Sequence, residues 1–382
     1  MTDASKTHYD IIVIGAGIAG ISLASYLAAD HTVLVVEAEG QPGYHSTGRS
    51  AALFSESYGP VAVRALSRAS GAFFRQPPKG FSDTALTTPR GFLAVADAEH
   101  WQDLQAFGAL PEVRAVMRPL STSEVLVRCP VLRPNRIAGG MIEAGAADID
   151  VHALLQGYLR RLRAAGGRLA SGLRVEHIER TASGWIVRSA GQAHSCRVII
   201  NAAGAWADDI AAKAGLTPIG LQPKRRTAAL VDTPPSISAA NWPLVYDCAE
   251  HFYFKPDAGN ILISPGDETP SEPTDAQPEE LDVAIAVDRI MTATTIPISR
   301  IRSRWAGLRS FVSDGEPVAG YDPGDDGFFW LAGQGGYGIQ TAPALARLAA
   351  AMVDHQPVPE DIASFGLVAG QVAPGRLHEP GA

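Results

Sequence analysis

Apolar and polar positions along the chain fall into two regimes. In the first, short apolar runs at residues 11–14, 32–36, 198–200 (the end of a strand from 194) and 328–332 read as strands of a parallel sheet. All but the 32–36 run lead through small or glycine residues into a helix-length segment, at 18–29, 207–214 and 342–354. In the second regime apolar and polar residues alternate, at 174–178, 185–187, 221–231 and 252–263. The turn Asp257-Ala258-Gly259-Asn260 in the last of these predicts a hairpin and an antiparallel sheet. Helical spacing marks residues 60–74 (Val61, Val63, Leu66, Ala69, Phe73), and helices are also predicted at 98–107, 122–127 and 281–292. Another, at 151–165, is capped by Asp148 or Asp150. Residues 91–95 and a segment ending at 305 read as strands. The Pro- and acid-rich stretch 265–279 reads as an exposed loop and 375–382 as a disordered tail.

Composition narrows the class. The 382 residues are too many for one ordinary core and suit two domains. A formal net charge of −8 gives no support to a nucleic-acid partner. No apolar run approaches the length of a membrane span, and residues 1–8 are short and polar, so no transmembrane segment or signal peptide is expected and a cytoplasmic location is. Cys129, Cys196 and Cys248 are widely scattered and the ten histidines follow no ligand spacing, so no metal site is predicted.

The chemistry begins at the first apolar run. Gly15, Gly17 and Gly20 follow it at once as G-x-G-x-x-G: one glycine for the tight turn, one for backbone approach to a pyrophosphate, one for close helix packing. The helix opening at Ile18 would aim its positive end at phosphates. Glu37 ends the next strand, where a carboxylate meets a ribose hydroxyl. The polar loop 41–52 follows; its His45, Ser46, Thr47, Arg49, Ser50 and Ala51 can close over a pyrophosphate or a ring edge. Two later strand-to-helix turns repeat the grammar. One is Asn201-Ala202-Ala203-Gly204-Ala205-Trp206. The other, Gly333 to Thr341, places Gly335, Gly336, Tyr337, Gly338, Ile339 and Gln340 where amides can face the pyrimidine end of a flavin. Such late elements favour FAD over NAD.

With these motifs in view, the chain resembles the FAD-dependent D-amino-acid oxidase, glycine oxidase and sarcosine oxidase superfamily. Within it the likeness is closest to bacterial D-arginine dehydrogenase. The likeness spans nearly the whole chain and rests on Gly15–Gly20, residues 43–52, 221–226, 305–311 and 334–341. It implies a mixed α/β fold: a Rossmann-like FAD-binding domain (1–90, 148–219, 307–382) interleaved with a substrate domain on a mostly antiparallel sheet (91–147, 220–306). It also implies noncovalent FAD, with Gly307 near it, and a small amino-acid substrate at the junction. By motif position Arg226 and Arg309 correspond to carboxylate-binding arginines, Tyr58 and Tyr253 to phenols over the substrate, and the Gly336 carbonyl to the acceptor for the substrate amine. A guanidinium fork suits an α-carboxylate.

The pocket for the substrate side chain would comprise Leu53, Phe92, Leu244 and Tyr246. Here the chain departs from the D-arginine pattern: Phe92 stands where that enzyme has an acid facing the guanidinium, Leu53 where it has a histidine, and Tyr246 where it has a small aliphatic residue. D-Arg and D-Lys should therefore be poor substrates and apolar or small D-amino acids better, unless Glu56 supplies a replacement charge. The expected reaction is oxidative deamination to a 2-oxo acid and ammonia, with hydride passing from Cα to flavin N5 and a quinone-type carrier or oxygen as final acceptor. The alternatives are oxidation of N-methyl or secondary amino acids or 2-hydroxy acids on the same scaffold, or a non-catalytic flavin-binding protein. A monomer or homodimer is expected.

Overall fold

A computed structural model describes residues 7–377. The predicted parallel sheet forms in the order Arg168–Ala170, Val33–Val36, His8–Ile14, Gln192–Asn201 and Asp325–Ala332. All four residues of Val33–Val36 are buried, as the unbroken apolar run requires. Gln192–Asn201 serves twice. Its first half pairs antiparallel with Gly184–Ser189, which pairs in turn with His177–Thr181, and its second half joins the parallel ladder. His177–Thr181 begins three residues beyond the start expected at 174.

Helices Ile18–Leu27, Val61–Arg75, Val151–Ala164 and Gly338–Val353 pack together on one face of this sheet around Leu23, Leu66, Leu159 and Leu345. The other face carries a separate core around Trp185, Phe328 and Trp330. Gly15 is essential to the first turn. Its φ is +104°, and a Cβ there would lie 2.4 Å from the Ala202 carbonyl oxygen.

The second sheet has nine strands and is antiparallel except where Leu244–Asp247 runs alongside Phe92–Ala96. The predicted hairpin is Tyr253–Asp257 with Asn260–Ser264. Helices Thr122–Arg128 and Glu280–Ala293 contribute Val125, Ala286 and Ile290 to a core on one face. Strand Ile301–Phe311 lies wholly in this sheet, so the boundary expected at 306/307 falls inside it. A small third sheet, Leu53–Phe54, Ala147–Ile149 and Thr87–Pro89, accompanies the two large ones.

Loop 265–279 is anchored: its Thr269–Pro270 pairs with the strand Gln222–Asp232, and Asp267 accepts from the Thr227 amide at 2.7 Å. Of the tail expected to be disordered at 375–382, residues 375–377 belong to the 3₁₀ turn Pro374–Leu377 and 378–382 lie outside the described residues. No helix among the described residues is long and apolar enough to cross a membrane.

Candidate active site

One cavity of about 330 Å³ runs from the glycine turn of the first sheet to the face of the second. At one end Gly15, Gly17, Ile18 and Glu37 line it. Glu37 accepts from the Ala16 amide at 2.7 Å and the Glu39 amide at 2.9 Å, which fixes its carboxylate beside the glycine turn. Gly20 is set back from the wall: a Cβ there would meet the Gly15 carbonyl oxygen at 2.0 Å, so its task is to let the helix pack against the turn.

The loop 41–52 lines the middle, and its groups are already engaged. Thr47 Oγ1 accepts from the Ile18 amide at 3.0 Å, capping the first helix. Ser46 donates to the Leu308 carbonyl at 2.6 Å. The Arg49 guanidinium donates to the carbonyls of Ala276 (2.8 Å) and Ala306 (3.0 Å) and pairs with Asp275, so it is spent on protein rather than aimed at a pyrophosphate. The His45 ring packs tilted against Trp206, with centroids 4.7 Å apart, and its Nε2 lies 3.0 Å from the Glu39 carboxylate. Ser50, Ala51, Ala203 and Gly204 complete this stretch.

At the far end stand Gly307, Arg226, Tyr253, Arg309, Gly335, Gly336, Gly338 and Ile339. Sheet register explains the grouping. Arg226 lies opposite Gly307 and Arg309 opposite Lys224 on neighbouring antiparallel strands, two residues apart along each, so both arginines share a face. Tyr246 opposite Tyr253, and Phe92 opposite both Leu244 and Glu143, continue across the sheet. Ring contacts link Tyr58 to Phe92, Tyr246 and Tyr337 at centroid distances of 6.0, 5.6 and 5.2 Å.

The two arginines differ. Arg226 is buried, donates to the Asp267 carbonyl at 2.7 Å and pairs with Glu268 at 3.0 Å. Burial works against the Glu268 charge, but Lys224, Arg226 and Arg309 outweigh it and hold the carboxyl below its usual range. Arg309 takes part in no ion pair among the described residues. It is half-buried and lines the cavity. Burial opposes its charge; Tyr58, Tyr253 and Tyr337 more than offset this, Tyr58 through a hydrogen bond, and the guanidinium pKa is raised. The guanidinium lies flat against Gly336, where a Cβ would stand 2.8 Å from Cζ.

Of the predicted side-chain pocket, Phe92 and Leu244 are buried and Leu53 and Tyr246 half-buried in one apolar cluster with Tyr58, and none of the four lines the large cavity. Tyr337 belongs to this aromatic group rather than to the cavity wall. Gln340 is turned away as well: its Oε1 accepts from the Ser55 amide and its Nε2 donates to the Tyr58 carbonyl. Glu56 faces Arg75 at 3.2 Å, so it supplies no charge to the pocket. The carboxylate beside the aromatic group is instead Glu250, hydrogen-bonded to Tyr246. Glu250, Glu268 and Glu143 were not identified from sequence; each contacts a residue of the site, respectively Tyr246, Arg226 and the turn before Tyr58, through backbone geometry that no local motif signals.

These residues fit a dinucleotide. His45 Nδ1 and Gln334 Nε2 are buried side-chain atoms of cavity-lining residues, and both lack a hydrogen-bond partner. A family model described as FAD dependent oxidoreductase (DAO) matches residues 10–352. The chain belongs to that family, and its cofactor is FAD.

Among curated relatives it is 24% identical to the glycine oxidase of Geobacillus kaustophilus over 383 residues, covering 94% of this chain and 97% of the relative. The solved structure of L-proline dehydrogenase from P. horikoshii superposes with a TM-score of 0.81 at 19% identity, covering 95% of this chain and all of that one. L-amino acid deaminase from Proteus vulgaris gives 0.82 at 15% identity, covering 98% and 99%. At these identities the two structures establish the fold alone.

Proposed function

We propose that the protein oxidises small α-amino acids to 2-oxo acids and ammonia, with the α-carboxylate held by Arg309. The observation that carries this reading is a half-buried guanidinium lining the cavity, without a carboxylate partner among the described residues. The phenols sustain this charge but leave the planar fork without an anion, and an α-carboxylate would complete it. Arg226 is already neutralised by Glu268 and is a secondary contact. Tyr58 and Tyr253 orient the bound carboxylate by hydrogen bonds without adding charge, and the Gly336 carbonyl accepts from the amine. When bound noncovalently, FAD supplies the acceptor for the α-hydrogen as hydride. The amine lone pair assists that departure, the resulting imino acid takes up water, and ammonia leaves. The chain's contribution is positioning and electrostatics.

The packing of Tyr58, Phe92, Tyr246 and Tyr337 on one another favours a small side chain and, with the glycine oxidase relatives, extends the reading to N-substituted glycines. The D preference for larger substrates rests on the motif resemblance. The domain division given above, apart from its 306/307 boundary, is carried forward in the same way.

The test is anaerobic loss of oxidised-flavin absorption with glycine, sarcosine, D-alanine, D-methionine, D-arginine and their L counterparts. Glycine, sarcosine and D-alanine should reduce the flavin fastest, with the matching 2-oxo acid recovered. Fast reduction by D-arginine would contradict the side-chain reading and assign the compensating charge to Glu250. Reoxidation by oxygen or by a quinone-type dye then identifies the acceptor.

A further inference from the structure

A carboxylate outside the cavity holds the turn that carries Tyr58. Glu143 ends the strand Gly139–Glu143, opposite Phe92, and its side chain is 2% exposed. No cation among the described residues pairs with it. Its Oε1 accepts from the Glu56 amide at 2.8 Å. Its Oε2 accepts from the Ser55 hydroxyl at 2.7 Å, the Ser57 hydroxyl at 2.5 Å and the Ser57 amide at 3.3 Å. All four donors come from three consecutive residues. The Tyr58 amide then donates to Ser55 Oγ at 3.2 Å, and Gln340 secures both ends of the same turn at Ser55 and Tyr58.

A buried anion costs several kcal/mol unless donors replace its water. Here four donors do so in part, while burial still holds the Glu143 carboxyl above its usual range, and each of these donors belongs to the turn that leads into Tyr58. An apolar residue at position 143 would leave the Glu56 amide without its acceptor and the Ser57 amide and the two hydroxyls with only the 3.2–3.3 Å contacts between Ser55 and Ser57.

We propose that Glu143 is a positioning residue for the substrate clamp, fixing the turn 55–58 so that the Tyr58 phenol stays on the Arg309 guanidinium. The proposal rests on the reading of Arg309 as the carboxylate anchor. Glu143 touches neither substrate nor cavity and acts through Tyr58.

The Glu143→Gln side chain keeps the size but replaces one accepting oxygen with a donor, so it cannot serve all four groups. In the FAD-loaded protein, perturbation of the flavin spectrum by acetate reads carboxylate affinity without turnover. Glu143→Gln should raise the acetate Kd and the KM for glycine by roughly tenfold, with a smaller fall in kcat and unchanged FAD content. Tyr58→Phe should do the same. The double variant should be no worse than Tyr58→Phe, because the two residues act in series. Ser57→Ala, which removes one donor, should shift both constants in the same direction by less.

An unchanged Kd in Glu143→Gln, or full additivity with Tyr58→Phe, overturns the proposal while leaving the anchor intact. If Glu143→Gln does not fold, an unchanged Kd in Ser57→Ala overturns it. Absence of acetate binding in the wild-type protein would overturn both the anchor and this proposal.

Discussion

Between the phenols of Tyr58, Tyr253 and Tyr337, the Arg309 guanidinium presses on the Cα of Gly336 at a distance that leaves no room for a methyl group. Two predictions belong to these residues. Arg309→Lys keeps the charge but loses the planar fork, and kcat/KM for the amino acid should fall by about 10²–10³-fold, mostly through KM. Gly336→Ala should displace the guanidinium and raise KM by roughly tenfold or more while FAD stays bound, as steady-state kinetics and flavin content would show.

Sequence was informative here where a motif fixes geometry: Gly15, Gly17 and Glu37 lie where a dinucleotide turn requires them. It was silent where the partner is remote. Nothing near position 143 marks a buried carboxylate, because its donors lie more than 80 residues away, and nothing near Arg226 announces Glu268. The charges of Arg49 and Glu56 read as free in the sequence, yet the fold spends them on Asp275 and Arg75.

Among the elements, legibility followed burial and length. Val33–Val36 and residues 328–332 of the strand Asp325–Ala332 are buried on both faces and read as unbroken apolar runs. Gly139–Glu143 was not identified: it is five buried residues with two glycines and a carboxylate, a pattern with neither alternation nor β-branched enrichment. Gly140 is there because a Cβ would lie 2.8 Å from the Ala94 carbonyl oxygen across the sheet. Leu244–Asp247 and Val318–Asp322 were too short to stand out from their loops.

Helix ends were clearer. Asp150 rather than Asp148 caps Val151–Ala164, accepting from the Ala153 amide at 2.8 Å, while Asp148 binds Arg90 and Lys255. Asp150→Ala should cost about 1 kcal/mol, seen as a fall of roughly 1–3 °C in melting temperature with catalysis unaffected. Loss of activity without loss of stability would assign Asp150 another role.

At the scale of the molecule, the cavity exists because two sheets from interleaved stretches of chain meet, and a few side chains lock that meeting. Arg49, from the loop after the first two strands, reaches the carbonyls of Ala276 and Ala306 and the Asp275 carboxylate. The Trp305 indole donates back to the Arg49 carbonyl at 3.0 Å. Arg49→Ala should therefore release the loop 265–279, speeding its cleavage by protease and the loss of FAD on dilution. Equal rates in variant and wild type would show that the loop is held by its strand pairing and Asp267 alone.

The central claim is that Arg309 makes this flavoprotein an oxidase or dehydrogenase of amino acids rather than of amines at large. The measurement that reaches it most directly compares anaerobic flavin reduction by sarcosine and by dimethylamine, the same secondary amine with and without its carboxylate. Reduction by sarcosine, with dimethylamine slower by a factor of about 10² or more, is the expected result. Equal rates for the two, or reduction by dimethylamine alone, would contradict it.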